Sequence, residues 1–84
     1  MKFIKTRESM NVWDYYTDDT GMFQASIVHF EQPSPFGINS GRISKLFIQN
    51  DKTGEMVCNY DRGWDKKPTP EVKAFYDEIL KKLN

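Results

Sequence analysis

Through most of this chain apolar and polar residues alternate with a period of two, and only near its end does the period lengthen to three and four. From Met22 to Phe30, Phe23, Ala25, Ile27 and His29 fall on one face and Gln24, Ser26 and Val28 on the other, the pattern of a half-buried strand. Upstream, Met10 to Thr17 is rich in β-formers (Val12, Trp13, Tyr15, Tyr16) and ends at Asp18-Asp19-Thr20-Gly21, whose glycine can supply a positive φ. The two segments predict a β-hairpin. A second hairpin is predicted from Arg42 to Tyr60. Ser44, Leu46 and Ile48 alternate with Ile43, Lys45 and Phe47. Asn50-Asp51-Lys52-Thr53-Gly54 forms a turn with Gly54 at a left-handed bulge position, and Met56, Cys58 and Tyr60 share a face on the way back.

After Pro68 the period changes. Val72, Phe75, Tyr76, Ile79, Leu80 and Leu83 recur at three- and four-residue steps, with Lys73, Asp77, Glu78, Lys81 and Lys82 between them. Thr69 suits an N-cap, Pro70 the first helical position and Glu71 the positive end of the dipole, so a helix of about 14 residues is expected. Residues 31–41 are the longest irregular stretch, because Pro33, Pro35, Gly37 and Gly41 prevent a regular ladder. The predicted fold class is α+β: an antiparallel β-sheet meander of about four to five strands packed against one C-terminal amphipathic helix. Residues 1–84 are expected to form a single domain, with residues 1–9 either a short edge strand over 2–6 or flexible.

Composition narrows the function classes more than it identifies one. With 38% hydrophobic and 29% charged residues the chain has the balance of a globular domain and not of a disordered one. Twelve Lys and Arg are matched by twelve Asp and Glu, and the charges remain interspersed along the chain. No basic face is announced, so nucleic acid and anionic membranes are not the expected partners. The single Cys58 has no second cysteine for a disulfide or a zinc site, which points to a reducing cytoplasm. The start of the chain, Met1 to Glu8, has charges at short intervals and no apolar run of a signal peptide or membrane anchor.

The densest chemistry lies in Asn59-Tyr60-Asp61-Arg62-Gly63-Trp64-Asp65, read as the connector between the last strand and the helix. Spacing alone would permit Asp61 and Asp65 to act as an acid/base pair, but a chain this short has little core to spare for a substrate pocket. The more economical expectation is a joint: Trp64 folds back as a staple between sheet and helix, Gly63 makes the turn, and Arg62 pairs with a carboxylate. Trp and Arg are also the residues that anchor interfaces. The second candidate is Gly37-Ile38-Asn39-Ser40-Gly41-Arg42. A phosphate loop is not expected there, since a strand and not a helix follows and no Gly-Lys-Ser/Thr is present. The loop is read either as a glycine-hinged crossover or as a binding loop with Phe36 and Ile38 as its apolar tips. Because these two blocks adjoin the same end of the second hairpin, Arg42 is expected near Asp61 or Arg62. His29, the only histidine, has no marked nucleophile, and Trp13, Tyr15 and Tyr16 lie among acidic residues instead of a basic groove.

Phe36-Gly37-Ile38-Asn39-Ser40-Gly41-Arg42-Ile43-Ser44-Lys45-Leu46 and Tyr60-Asp61-Arg62-Gly63-Trp64-Asp65, followed by Pro68 and the helix, resemble the two blocks of a family of small uncharacterised bacterial and phage proteins. The resemblance runs from residue 22 to residue 84 and implies a phage or mobile-element setting, with no chemistry attached. Three functions are therefore weighed. The favoured one is a non-catalytic accessory protein that docks on a protein partner and inhibits a host factor, using Phe36, Ile38, Asn39, Arg42, Asp61, Arg62, Trp64 and Asp65. The others are a small-ligand binder or enzyme built on Asp61, Arg62 and Asp65 with Arg42, and a single-stranded nucleic-acid binder. No catalytic residue, cofactor or metal is expected, and the chain itself is expected to be a monomer or a weak homodimer.

Overall fold

Each alternating segment buries one of its faces, and the chain achieves this by folding back on itself repeatedly. The computed structural model describes residues 1–6 and 13–84. The expected strand residues Met10, Asn11 and Val12, and residues 7–9, lie outside the described residues. Six strands follow one another in both chain and space: β1 (Lys2–Thr6), β2 (Asp14–Thr17), β3 (Phe23–His29), β4 (Ile43–Asn50), β5 (Met56–Asp61) and β6 (Trp64–Lys66). Every neighbouring pair is antiparallel. The sheet thus has more strands than the four to five expected from sequence, and the additional one is β6. Asp61 to Asp65 is not an irregular joint but a hairpin tip, with Tyr60 paired to Trp64 across it.

The turn at residues 50–54 forms as its residues require. Asn50 Oδ1 accepts the backbone N–H groups of Lys52 and Thr53, Asn50 N–H donates to Glu55 O, and Gly54 takes a φ of 76°. That φ lies in the left-handed region, which glycine enters without steric cost.

One face of the sheet carries Tyr16, Phe23, Ala25, Ile27, Leu46, Ile48, Cys58 and Tyr60, which pack with Val72, Phe75, Tyr76, Ile79 and Leu83 of the C-terminal segment into a single cluster. The alternation holds for β3 but not throughout β4. Ile43, placed by pattern on the outer face, is fully buried, because the pairing of β3 with β4 shifts register between Val28 and His29. A second shift between Ile48 and Gln49 on the β4–β5 pair accompanies burial of Val57. On the opposite face Trp13 stacks on Phe47 with ring centroids 5.7 Å apart.

The helical segment is divided in two. Pro70–Val72 forms a 3-10 turn, and helix α1 spans Lys73–Leu83, 11 residues against the roughly 14 expected. Thr69 stands at the N-cap, but its side chain makes no capping hydrogen bond; its carbonyl accepts Val72 N–H instead. Thr69 is also held to the sheet by its own N–H, which donates to Val57 O at 3.2 Å. Its hydroxyl is buried with no hydrogen-bond partner among the described residues.

Candidate functional site

The β5–β6 tip closes through two backbone bonds. Asp61 N–H donates to Gly63 O at 2.9 Å and Arg62 N–H donates to Ser44 O at 3.0 Å. To turn this tightly Arg62 adopts a φ of 58°, the left-handed region. A non-glycine residue there costs about 1 to 2 kcal/mol. Its side chain is exposed and the guanidinium lies 5.7 Å from the centroid of the Phe36 ring, a cation–π arrangement. Phe36 is itself 57% exposed, the most open large apolar side chain among the described residues. Its carbonyl accepts the Tyr60 hydroxyl at 2.9 Å, which ties the loop after β3 to the end of β5. The two blocks singled out in the sequence therefore touch.

The polar pairing of Arg62 differs from expectation. The Asp61 carboxylate is 3.8 Å from Lys45 Nζ, since Lys45 and Asp61 stand opposite one another in the β4–β5 register. Arg62 pairs with no carboxylate among the described residues. Arg42 is half-buried and likewise has no ion-pair partner among them, while Asp65 is exposed.

The loop that presents Phe36 is an assembled structure. Ser34 N–H donates to Gly41 O at 2.9 Å, and Ser34 Oγ accepts Phe36 N–H at 3.1 Å. Gly37 and Gly41 meet so closely that a Cβ on Gly37 would lie 2.0 Å from the Gly41 carbonyl oxygen. Between them Asn39 and Ser40 have φ values of 52° and 58°. Asn84 clamps the loop from the far end of the chain. Its Oδ1 accepts Ile43 N–H and its Nδ2 donates to Ile38 O, both at 3.0 Å. Ile38, expected as an exposed apolar tip, is fully buried in the core instead. The glycines are there for close approach, and Asn39 is left exposed on the loop surface.

Beside the tip, Trp64 joins the sheet to the helix. Its ring lies edge-on to Tyr60 at 4.9 Å and tilted against Tyr76 at 5.9 Å. An open groove of about 420 Å³ runs along this contact, lined by Asn39, Trp64, Lys67, Pro68, Tyr76 and Leu80, with Lys73 and Asp77 on its helical side. Lys73 pairs with Asp77 one helical turn on and lies 5.3 Å from the Tyr76 ring centroid. Burial raises the Tyr76 hydroxyl pKa above its ordinary value. Tyr76 and Lys67 were not singled out by sequence. Tyr76 reads as one more member of the helix's apolar stripe, and nothing local marks Lys67 as a neighbour of Trp64.

The remaining candidates carry less. Cys58 is fully buried, and burial pushes its thiol pKa up to about 12, so it is neither a nucleophile nor a ligand at neutral pH. His29 Nε2 lies 3.0 Å from Asp14 Oδ2, bridging β3 and β2. Among the described residues no group of three or more His, Cys, Asp or Glu is placed to hold a metal ion, and no helix is long and apolar enough to cross a membrane.

No curated protein and no solved structure matches the chain. A family model does, over residues 13–84, which takes in both sequence blocks, the groove and every strand except β1. Its description is a domain of unknown function, DUF7678, and the chain belongs to that family.

Proposed function

We propose that this chain is a small non-catalytic accessory protein that docks on a protein partner through Phe36, Arg62 and Trp64. The observation that carries the reading is the Arg62–Phe36 pair: a guanidinium with no carboxylate partner among the described residues, over an exposed ring, on a tip whose backbone sits in the left-handed region while Gly63 stands next to it. Arginine and aromatic side chains are the groups that most often anchor interfaces, and a tip braced by hydrogen bonds loses little entropy on binding. Support for a non-catalytic role comes from the carboxylates. Asp61 lies 3.8 Å from Lys45 Nζ, and Asp65 is exposed and makes no ion pair with any described residue, so neither is set in the kind of enclosed pocket that tunes a catalytic carboxylate. The setting we propose is a phage or mobile element in the bacterial cytoplasm, on the likeness of the two sequence blocks to small bacterial and phage proteins. Inhibition of a host factor is the action such docking most simply produces.

Affinity capture from a bacterial lysate, with Arg62→Ala and Phe36→Ala proteins in parallel and mass spectrometry as readout, tests this. A stoichiometric partner retained by the parent protein and lost from both variants, with unchanged melting temperatures, is the expected result. Each substitution should weaken binding by about 1 to 2 kcal/mol or more. Retention of the partner by both variants would remove this surface from consideration. The groove favours one second reading, a small-ligand binder, which saturable quenching of Trp64 fluorescence by a metabolite panel would reveal.

A further inference from the structure

Along the groove between β6 and α1, open aromatic surface coincides with hydrogen-bond donors that have no partner. Trp64 is half-buried, and its two ring neighbours, Tyr60 and Tyr76, meet it at 74° and 54°, so no described ring lies flat upon it. Pro68 and Leu80 extend the apolar lining, and the volume of about 420 Å³ falls in the range of small-molecule sites. Tyr76 is only 7% exposed, yet its hydroxyl makes no hydrogen bond with any described residue. Burial raises the pKa of that hydroxyl, so it keeps its proton and remains a donor. The Trp64 indole N–H and the Lys67 ammonium are likewise without a partner among the described residues. Of the lining charges, Lys73 is paired with Asp77 one helical turn on, which leaves Lys67 as the uncompensated one. Asn39 also lines the groove, and its amide serves as donor or acceptor.

From this coincidence we infer that the groove binds a small aromatic monocarboxylate, its ring against Trp64 and Tyr76 and its carboxylate on Lys67. The inference rests on the small-ligand reading of the groove and names the chemistry of the ligand. Each part of that chemistry answers a group on the wall. Aromatic rings pack best on other rings in offset or edge-to-face arrangements, which Trp64 and Tyr76 offer. The groups left over, Lys67, the Trp64 N–H and the Tyr76 hydroxyl, are donors, so the matching ligand is rich in acceptors, and an ionised acceptor makes the stronger bond. One uncompensated cation matches one negative charge. A phosphate monoester, at about −1.5 to −2 near neutral pH, exceeds it. An aromatic amine would meet Lys67 with the Asp77 carboxylate already taken by Lys73.

A heteronuclear NMR titration of the intact chain tests the inference. The chain has two tryptophans, Trp64 in the groove and Trp13 on the opposite face of the sheet, so their indole N–H signals give a probe and an internal control. Naphthylacetate should move the Trp64 signal saturably and leave Trp13 in place. The isosteric neutral amide, naphthylacetamide, should bind about tenfold more weakly. Lys67→Glu should weaken naphthylacetate by about tenfold or more and leave the amide within about twofold, at an unchanged melting temperature. Tyr76→Phe, which keeps the ring, should weaken naphthylacetate by about fivefold. Equal or tighter binding of the amide, tighter binding of adenosine monophosphate, or a naphthylacetate affinity unaltered by Lys67→Glu or by Tyr76→Phe would each overturn the inference. In those cases a Trp64 signal that still responds leaves the small-ligand reading standing. No Trp64 response to any of the three compounds, or Trp13 shifts of the same size, would sink both.

Discussion

The β4–β5 and β5–β6 hairpins turn through the same region of backbone space with different residues. In the first, Gly54 takes a φ of 76° and its neighbourhood is nearly empty, the closest atom to a would-be Cβ being Gln49 Nε2 at 4.0 Å. In the second, Arg62 takes a φ of 58° although Gly63, with open space around it, stands next in sequence and is not in that region. The first turn uses the residue that costs least. The second places a long cationic side chain where glycine would relieve strain, and aims it at an exposed phenyl ring. This unusual use of a left-handed position at the Arg62 tip is what the docking surface proposed above builds on.

Substitutions can break or sharpen this contrast, beginning with the loop that supports Phe36. Gly37→Ala places a carbon against the Gly41 carbonyl and should cost about 3 kcal/mol or more in chemical denaturation, since backbone and not side chain must yield. A loss under about 1 kcal/mol would mean that the loop can open, and that Phe36 is not held in place. Trp64→Ala removes a half-buried ring that touches both Tyr60 and Tyr76, and about 2 to 3 kcal/mol should be lost, less than for a wholly buried tryptophan. Gly54→Val forces a β-branched residue into positive φ, and a destabilisation of about 1 to 2 kcal/mol is expected; an unchanged midpoint would show that the turn has a relaxed alternative. The smallest effect on stability should come from Arg62→Gly. Relief of the left-handed backbone offsets the lost cation–π contact and the added chain entropy, leaving a change within about 0.5 kcal/mol. Partner affinity should nevertheless fall by about tenfold or more. A large stability loss in this variant would reverse the contrast and make Arg62 a structural residue.

What could be read before the fold was known was what depends on neighbours in sequence. Alternation from Phe23 to Ile27, the Asn50–Gly54 turn and the three- and four-residue steps of the helix each report a local backbone preference coupled to one buried face. Strand β6 escaped because Trp64-Asp65-Lys66 is too short to show a period, and its pairing depends on Arg62 entering a conformation its own side chain disfavours. Ile38 was misplaced because a hydrophobic residue flanked by glycine and asparagine looks the same whether it points out or in. Its side chain packs in the core cluster, and its carbonyl is held by Asn84 from 46 positions away. The partner of Asp61 was hidden for a related reason: cross-strand partners are set by register, and register placed Lys45 opposite Asp61.

The sequence by itself determined an antiparallel sheet with a C-terminal helix, because hydrophobic period and turn chemistry act over a few residues and need no distant partner. Tertiary structure alone decided that the Tyr60–Asp65 block turns back as a hairpin held to Ser44 before it meets the helix, that Phe36 is the exposed aromatic while Ile38 is core, and that Trp64 and Tyr76 share a groove. Those outcomes depend on contacts between residues far apart in the chain, whose energies are set by geometry that no local pattern encodes.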